Sequence, residues 1–369
     1  MTTKRGRIRL LSPSPSCDVS GTVRIAFSLD TPGGTVRAEA AGFRGDGLSL
    51  LTAAEVKTGP DGRGSFLFPA DEYPHGPMTL LLSTSGEEDR DVLHLSLFNL
   101  SGKPYREGVS AFADPPLARE KGLRLLFSDD FTDPCLSISR DRATRYYSHK
   151  PGGGDFSKFP FADFESPANP FSQRETWLRI RADESKNSTG LLSSIRADGT
   201  GFSAKAPCYF ECRFLAPNAT GTWPAFWLMT RPVFRGLHVP ADELDVIEAY
   251  GLEDLSHQNQ VGYYVTSHRW NQGRHETTDP GLFIDMRDKG SGLGWDQAFH
   301  TYGLLITEEE TCYTLDDRPV FRHPTQPYSK TDPFFFMINL AVGGNGWPWD
   351  LSRCGVADMY VDFVRVYGL

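Results

Sequence analysis

Three of the four carboxylates in the stretch ADELDVIEAYG, residues 241–251, form one pattern: Glu243, Asp245 and Glu248. Apolar and acidic residues interleave there as in a strand, whose side chains point alternately to opposite faces. Glu243 and Asp245, two apart, share a face. Glu248 is five from Glu243, so a regular strand would turn it to the other side. A β-bulge adds one residue and reverses the parity beyond it. One bulge at Val246–Ile247 returns Glu248 to the face of the other two. Two carboxyl groups about 5–5.5 Å apart can serve as nucleophile and general acid/base on a glycosidic bond, with retention of configuration. At about 3.3 Å per residue the Cα atoms of Glu243 and Glu248 stand farther apart than that, so both side chains must lean inward over the shorter Asp245. Asp245 can then share a proton or hydrogen bond with its neighbours, helping to keep one glutamate ionised and the other protonated. The plainer reading is three solvated acids on an exposed strand. Against it, like charges along one row repel, and the interleaved Leu244, Val246 and Ile247 imply a face turned to a core.

Such a strand needs a sheet around it, and the chain supplies many. Its 369 residues carry 12% aromatics, 36 Gly and 26 Pro, with short apolar runs set between turn residues. That pattern predicts an all-β protein. Strands are expected at 22–29, 35–43, 47–56, 64–70, 78–85 and 92–100. After these come 123–131, 176–182, 208–217, 225–229, 243–250, 261–270, 300–307, 312–321, 334–342 and 359–369. The first group, at spacings of 10–14 residues, predicts a small immunoglobulin-like β-sandwich over 1–101. A Pro-containing linker follows at 102–120, and 121–369 is long enough for one two-sheet sandwich. The first sandwich shows no catalytic constellation and is read as an accessory module. Its removal is expected to leave cleavage of short oligosaccharides intact.

Charge and composition exclude several classes. A net charge of −9 without a basic stripe argues against a nucleic-acid partner. No run of 18 apolar residues predicts a membrane span, and the first residues show no apolar signal-peptide core. The six cysteines form no CxxC or zinc-spaced cluster. Disulfides are left open; Cys208 and Cys212 share a strand face and do not suit a bridge to each other.

At this point the residues resemble a known family. ELDVIE, 243–248, is similar to the bulged E-x-D-x-x-E signature of glycoside hydrolase family 16, in its laminarinase, agarase and carrageenase branches. In the family's order, TGLLSS (189–194), FECRFLAP (210–217), GTWPAFWLM (221–229), FHTYGLLI (299–306), FFFMINLAVGGNGWP (334–348) and YVDFVRVY (360–367) resemble the corresponding stretches. The resemblance covers about 123–369. It implies a β-jelly-roll sandwich with a cleft across a concave sheet. Glu243 is implied as nucleophile, Asp245 as assisting carboxylate and Glu248 as general acid/base of a retaining endo-glycanase that needs no cofactor for catalysis. The substrate implied is a polysaccharide with β-1,3 or β-1,4 linkages, by default a β-1,3-glucan. A transglycosylase would share every catalytic residue. A non-catalytic binding protein is disfavoured because both glutamates are present.

Sugar rings present apolar C–H faces, so aromatic side chains are the expected cleft wall. Trp223 and Trp227 share parity and are assigned to the cleft, with Phe226 and Leu228 in the core. His268 and Trp270 share a face on the next strand, and the family places polar cleft groups where His300 and Asn339 stand. Arg231, Arg235, His238, Arg269, Arg274 and His275 surround the acidic strand. They motivate an alternative substrate, an acidic exopolysaccharide or marine galactan, because Arg forks suit such anions. The Gly-, Pro- and aromatic-rich segment 146–172 is expected to wall one end of the cleft. The resemblance further implies a candidate structural calcium at Asp362. A monomer acting outside the cell or at its surface is expected from the need to reach polymers.

Overall fold

The computed structural model describes residues 7–45, 47–85, 91–104, 113–231, 240–254, 256–271, 274–287 and 292–369, with 274–280 described for the backbone only. Strands dominate, with two five-residue helices at Pro116–Glu120 and Pro327–Thr331.

The larger unit is a jelly-roll sandwich of two sheets. The first sheet runs, in spatial order, through Ile138–Ser139, Tyr146–Tyr147, Gly190–Ser193, Phe334–Val342, Thr222–Thr230, Ala241–Glu248, Gly262–Asn271 and Arg274–Asp285. The second runs through Phe171–Arg174, Trp177–Asp183, Val356–Gly368, Cys208–Leu215, His300–Ile306, Glu310–Leu315 and Arg318–Pro324. Arg124–Asp129 also pairs with Val356–Gly368. Phe226, Leu228, Leu244, Phe210, Phe214, Phe336 and Val364 fill the space between the sheets and are fully buried. The other face of the first sheet carries a second apolar cluster that includes Trp223, Ala225, Trp227, Met229, Phe335 and Met337. Alternation along Thr222–Thr230 therefore sends Phe226 and Leu228 inward and both tryptophans outward.

The run 312–321, expected as one strand, is a hairpin. Glu310–Leu315 pairs with Arg318–Pro324 around Asp316 and Asp317, whose φ angles are +48° and +65°. Two consecutive left-handed residues match the twist of a tight hairpin, and Asp tolerates that conformation.

The first hundred residues form a three-stranded sheet (Ile8–Ser12, Thr22–Leu29, Arg63–Pro69) and a five-stranded sheet. The latter contains Asp18–Val19, Thr35–Arg44, Gly47–Lys57, Gly76–Thr84 and Val92–Asn99. They enclose their own core of Ile25, Phe27, Phe68, Leu80, Leu82, Leu93 and Leu95. This unit is not a loosely tethered spacer. Phe98 meets Trp177 edge-on at 5.8 Å and Tyr360 at 6.0 Å, and Trp177 stacks on Phe299 at 6.2 Å. Arg174 lies over Phe98 and bonds Asp18. His75 Nε2 sits 2.7 Å from Glu175. Ala41 packs with Leu293 and Ala298. A Cβ on Gly76 would meet the Trp177 ring at 2.5 Å, and the φ of +98° there also selects glycine.

Candidate active site

The bulge falls where the acid spacing requires it. Against Thr222–Thr230, Glu243 faces Met229, Asp245 faces Trp227, Ile247 faces Phe226 and Glu248 faces Ala225, so Val246 is the extra residue. The ladder to Gly262–Asn271 shifts between the same two acids, with Asp245 opposite Thr266 and Glu248 opposite Tyr264. Val246 and Ile247 both enter the inter-sheet core. Two successive core residues are what frees Glu248 to return to the outer face.

All three acids line a cleft of about 840 Å³. Its floor includes Trp223, Trp227, Met337 and Asn339, its sides His268, Trp270 and Tyr250, and its far wall Lys150, Pro151, Gly152 and Phe156. Glu243 accepts a hydrogen bond from Trp270 Nε1 at 2.8 Å. Glu248 Oε1 accepts from Trp223 Nε1 and from the Tyr250 hydroxyl, each at 3.1 Å. His268 Nε2 lies 3.0 Å from Asp245 Oδ2. One oxygen each of Glu243 and Asp245 and a ring nitrogen of His268 lie within 4.8 Å of one another. Asn339 is wholly buried in the floor, accepting from Trp227 Nε1 at 2.8 Å and donating to the Trp223 carbonyl at 3.1 Å. From within the floor it fixes the Trp227 indole and the Trp223 backbone.

The electrostatics follow from packing three acids out of water. Burial pushes Glu243 up to about 8, the Asp245 charge adds to this, and the His268 charge and the Trp270 N–H oppose it. Burial, then repulsion from Glu248, raises Asp245 well above the usual carboxylate range. Burial likewise raises Glu248, against the Tyr250 hydroxyl, the His268 charge and the Trp223 N–H. The cleft therefore retains protons near neutrality, which a general acid requires. A consequence for stability follows from the sign of these shifts. An acid whose folded-state pKa is raised binds more protons folded than unfolded, so stability falls as pH rises from the ordinary value toward the raised one. Asp245→Asn removes that loss: its melting temperature should exceed the parent's at pH 8 and match it near pH 4. Each pH unit across that window is worth about 1.4 kcal/mol at most. A lower melting temperature for the variant at pH 8 would show that the carboxylate is a net stabiliser.

Several sequence expectations do not converge on this cleft. His300 lies on the opposite sheet, where its strand pairs with Cys208–Leu215 and its Nδ1 meets Asp316 at 2.7 Å. Its polar character serves the Asp316–Asp317 turn, not the cleft. Asp362 is on that sheet too, nearly buried and 3.2 Å from Arg213 Nε. Its charge is met by a guanidinium, and no cluster of metal-ligating side chains surrounds it among the described residues. Arg231 donates to the Gly199 carbonyl. Arg269 turns away from the cleft to Asp242, at 3.5 Å, and to Gln326. Arg235 and His238, and the side chains of Arg274 and His275, lie outside the described residues. All six cysteines are free. The insertion does wall the cleft: Phe156 packs edge-on against Trp223 at 5.3 Å and Trp227 at 6.0 Å, with Lys150 over its ring.

Two site residues escaped the sequence reading. Tyr250 packs with tilted rings against Trp223 at 5.2 Å and Trp347 at 5.4 Å while its hydroxyl reaches Glu248. Its even spacing from Glu248, two residues along the same segment, was the available signal. Trp347 stands in a loop after Phe334–Val342, where strand parity gives no guidance.

Comparison with known proteins agrees with this architecture. The profile of Glycosyl hydrolases family 16 matches residues 168–364, more than half of the chain. Endo-1,3-1,4-beta-glycanase ExsH of Rhizobium meliloti (strain 1021) is 35% identical over 214 residues, 54% of this chain and 40% of that protein. EglC of the same organism, also an endo-1,3-1,4-beta-glycanase, is 31% identical over 219 residues, 55% of this chain and 40% of that protein. The chain thus spans about two fifths of the length of these curated relatives. The catalytic domain of an endo-1,3-beta-glucanase (laminarinase) from Thermotoga petrophila RKU-1 superposes with a TM-score of 0.52 at 19% identity. That superposition covers 67% of this chain and 98% of the other, and it shows the shared fold. With the profile match spanning the bulged strand and both sheets, this chain belongs to glycosyl hydrolases family 16.

Proposed function

We propose that this chain is a retaining endo-acting β-glycanase that cleaves internal β-1,3 or β-1,4 linkages of a polysaccharide by double displacement. The observation that carries the reading is the single-residue bulge at Val246, which sets Glu243, Asp245 and Glu248 on one face above an aromatic floor. Glu243 is assigned as nucleophile. Burial holds its pKa up at about 8; Trp270 N–H and the His268 charge favour the carboxylate, and a proton on Asp245 removes the repulsion that adds to burial. Glu248, raised by burial, holds the proton that the leaving oxygen needs and then, as a carboxylate, activates the water that releases the glycosyl-enzyme. Asp245 sits between them as the group that can hold a proton without reacting. The floor indoles offer apolar faces to the C–H faces of sugar rings.

The named activities of the two Rhizobium relatives support β-1,3/1,4 chemistry. The default substrate is a β-1,3-glucan. The acidic-polymer alternative loses the support of Arg231 and Arg269, which are engaged elsewhere, and rests on Lys150 in the cleft wall. Action outside the cell, as a monomer, is part of the proposal because polymers of this kind lie there.

Reducing-end release from laminarin, mixed-linkage glucan, agarose, carrageenan and an acidic bacterial exopolysaccharide tests the reading, with Glu243→Gln as blank. Release from the two glucans is expected. Release from charged polymers alone would overturn the default substrate, and release from none would overturn the activity.

A further inference from the structure

The loop that follows the acidic strand carries Tyr250 to Glu248, and it is held from below by two chains of contacts. Gly251 is bonded on both sides to the 221–222 segment, Gly251 N to the Thr222 carbonyl at 2.7 Å and Gly221 N to the Gly251 carbonyl at 2.9 Å. A Cβ at position 251 would meet Thr222 Oγ1 at 2.1 Å, so the two loops are in the closest contact backbone allows. Leu252 N donates to Asn218 Oδ1 at 3.0 Å, and Asn218 Nδ2 donates to Asp296 Oδ2 at 3.1 Å. The same Asp296 oxygen lies 2.8 Å from His94 Nδ1 of the N-terminal sandwich, and both side chains are almost wholly buried. The second chain runs through Glu253. Its carboxylate meets Arg353 at 3.4 Å, and Arg353 reaches Asp91 at 2.7 Å and the carbonyls of Ile8 and Val92 at 2.6 Å each. Both chains end on the N-terminal unit, and both start within three residues of Tyr250.

We propose that the N-terminal sandwich is a positioning element of the active site, fixing the Tyr250 hydroxyl against Glu248 through the His94–Asp296–Asn218 and Asp91–Arg353–Glu253 chains. His94 and Asp91 are positioning residues. They touch no substrate, and their effect reaches the cleft through the 250–254 loop. The physical case is that buried polar and charged groups packed against partners across an interface have one low-energy arrangement. A loop tied to two such pairs has little freedom to withdraw the hydroxyl. Tyr250 donates to Glu248 and so favours its carboxylate, which means that a withdrawn hydroxyl leaves Glu248 holding its proton to higher pH. The inference rests on the proposed role of Glu248.

The test uses the full chain with His94→Ala and, as the gentler change, Asp91→Asn. Tyr250→Phe serves as benchmark and Arg174→Ala as an interface control with no link to the loop. Laminarin and mixed-linkage glucan are the substrates. His94→Ala and Asp91→Asn are expected to lower kcat by about 2- to 30-fold, the span of coupling between distant groups. KM should hold, and the alkaline limb of the kcat profile should move upward, as in Tyr250→Phe. Hydrogen exchange at residues 250–254, read without substrate, should speed up in these two variants. Arg174→Ala should lower the melting temperature while leaving the limb and this exchange alone. A lower melting temperature with unchanged exchange, kcat and limb in the His94 and Asp91 variants would overturn the inference, as would an equal shift in Arg174→Ala. Wild-type turnover in Glu248→Gln would instead remove the proposed function. Faster loop exchange in the His94 variant alone would then still mark the coupling.

Discussion

Glu243→Gln is expected to lower turnover by about 10⁴-fold or more while leaving polymer binding nearly intact. The amide has the shape of the acid and still offers Trp270 Nε1 an acceptor at the 2.8 Å contact, so the cleft should keep its form. What disappears is the oxygen that would bond to the anomeric carbon. Glu248→Gln is expected to be milder and substrate-dependent. On natural polymer the loss should be about 10²–10⁴-fold, the usual worth of general acid/base catalysis. On an aryl glycoside whose leaving group needs no proton, the first step should recover much of its rate. The amide accepts the Trp223 and Tyr250 hydrogen bonds as the carboxylate does, so the fold should be kept, which unchanged melting curves would check. Polymer turnover by Glu248→Gln at the parental rate would remove it from the acid/base role.

Removing residues 1–110 is expected to yield an insoluble or unfolded product with no measurable cleavage, even of short oligosaccharides. That reverses what a spacer would predict. The cut strips Phe98 from Trp177 and Tyr360, leaving a stacked Trp177–Phe299 pair in water. It also leaves Asp296 without His94, and Arg353 without Asp91 and two carbonyls. Breaking a buried ion pair on one side costs about 3–5 kcal/mol, and truncating a buried Phe costs a similar amount. Three such losses, about 9–15 kcal/mol together, are as large as the 5–15 kcal/mol by which domains are ordinarily stable. Expression of 111–369, with circular dichroism, gel filtration and reducing-end release, checks this. A soluble, cooperatively melting fragment with parental activity would restore the spacer reading.

Much of this molecule is readable from local pattern, and the places where reading stopped have physical causes. Strand 334–342 and strand 22–29 were placed to the residue because apolar runs and turn residues bound them. The bulge was legible because three acids in five steps make no sense on a regular strand. Facing was legible for Trp223, Trp227, Phe226 and Leu228, where parity holds along one strand. It failed for His300, because parity says which face a residue takes but not which of two sheets its strand joins. Arg269 illustrates a related failure: position beside the acidic strand suggested the cleft, yet its odd offset from His268 turns it to Asp242. The Asp316–Asp317 turn was missed because two aspartates in a strand-like run give a weaker turn signal than Asn-Gly. The docked N-terminal unit was missed for a deeper reason. Its seam is built from His94, Asp91, Arg174 and Phe98, each unremarkable alone, and complementarity between residues far apart in the chain leaves no local mark.

The extra residue at Val246 has a bearing on how such a site changes over time. Nothing about valine is required there beyond filling the core, and other small apolar residues would serve. What matters is that the segment is one residue longer than its neighbours on either side. The information that joins Glu248 to Glu243 is thus carried by a count of residues matched to a bulge, not by any letter in the alphabet. Point substitution at Val246 leaves that count intact. Loss of that codon together with its bulge would leave the three acids two apart along a regular strand and still on one face. Straightening the bulge with the count unchanged would instead turn Glu248 inward against Phe226 and Leu228, with every acid still present in the sequence.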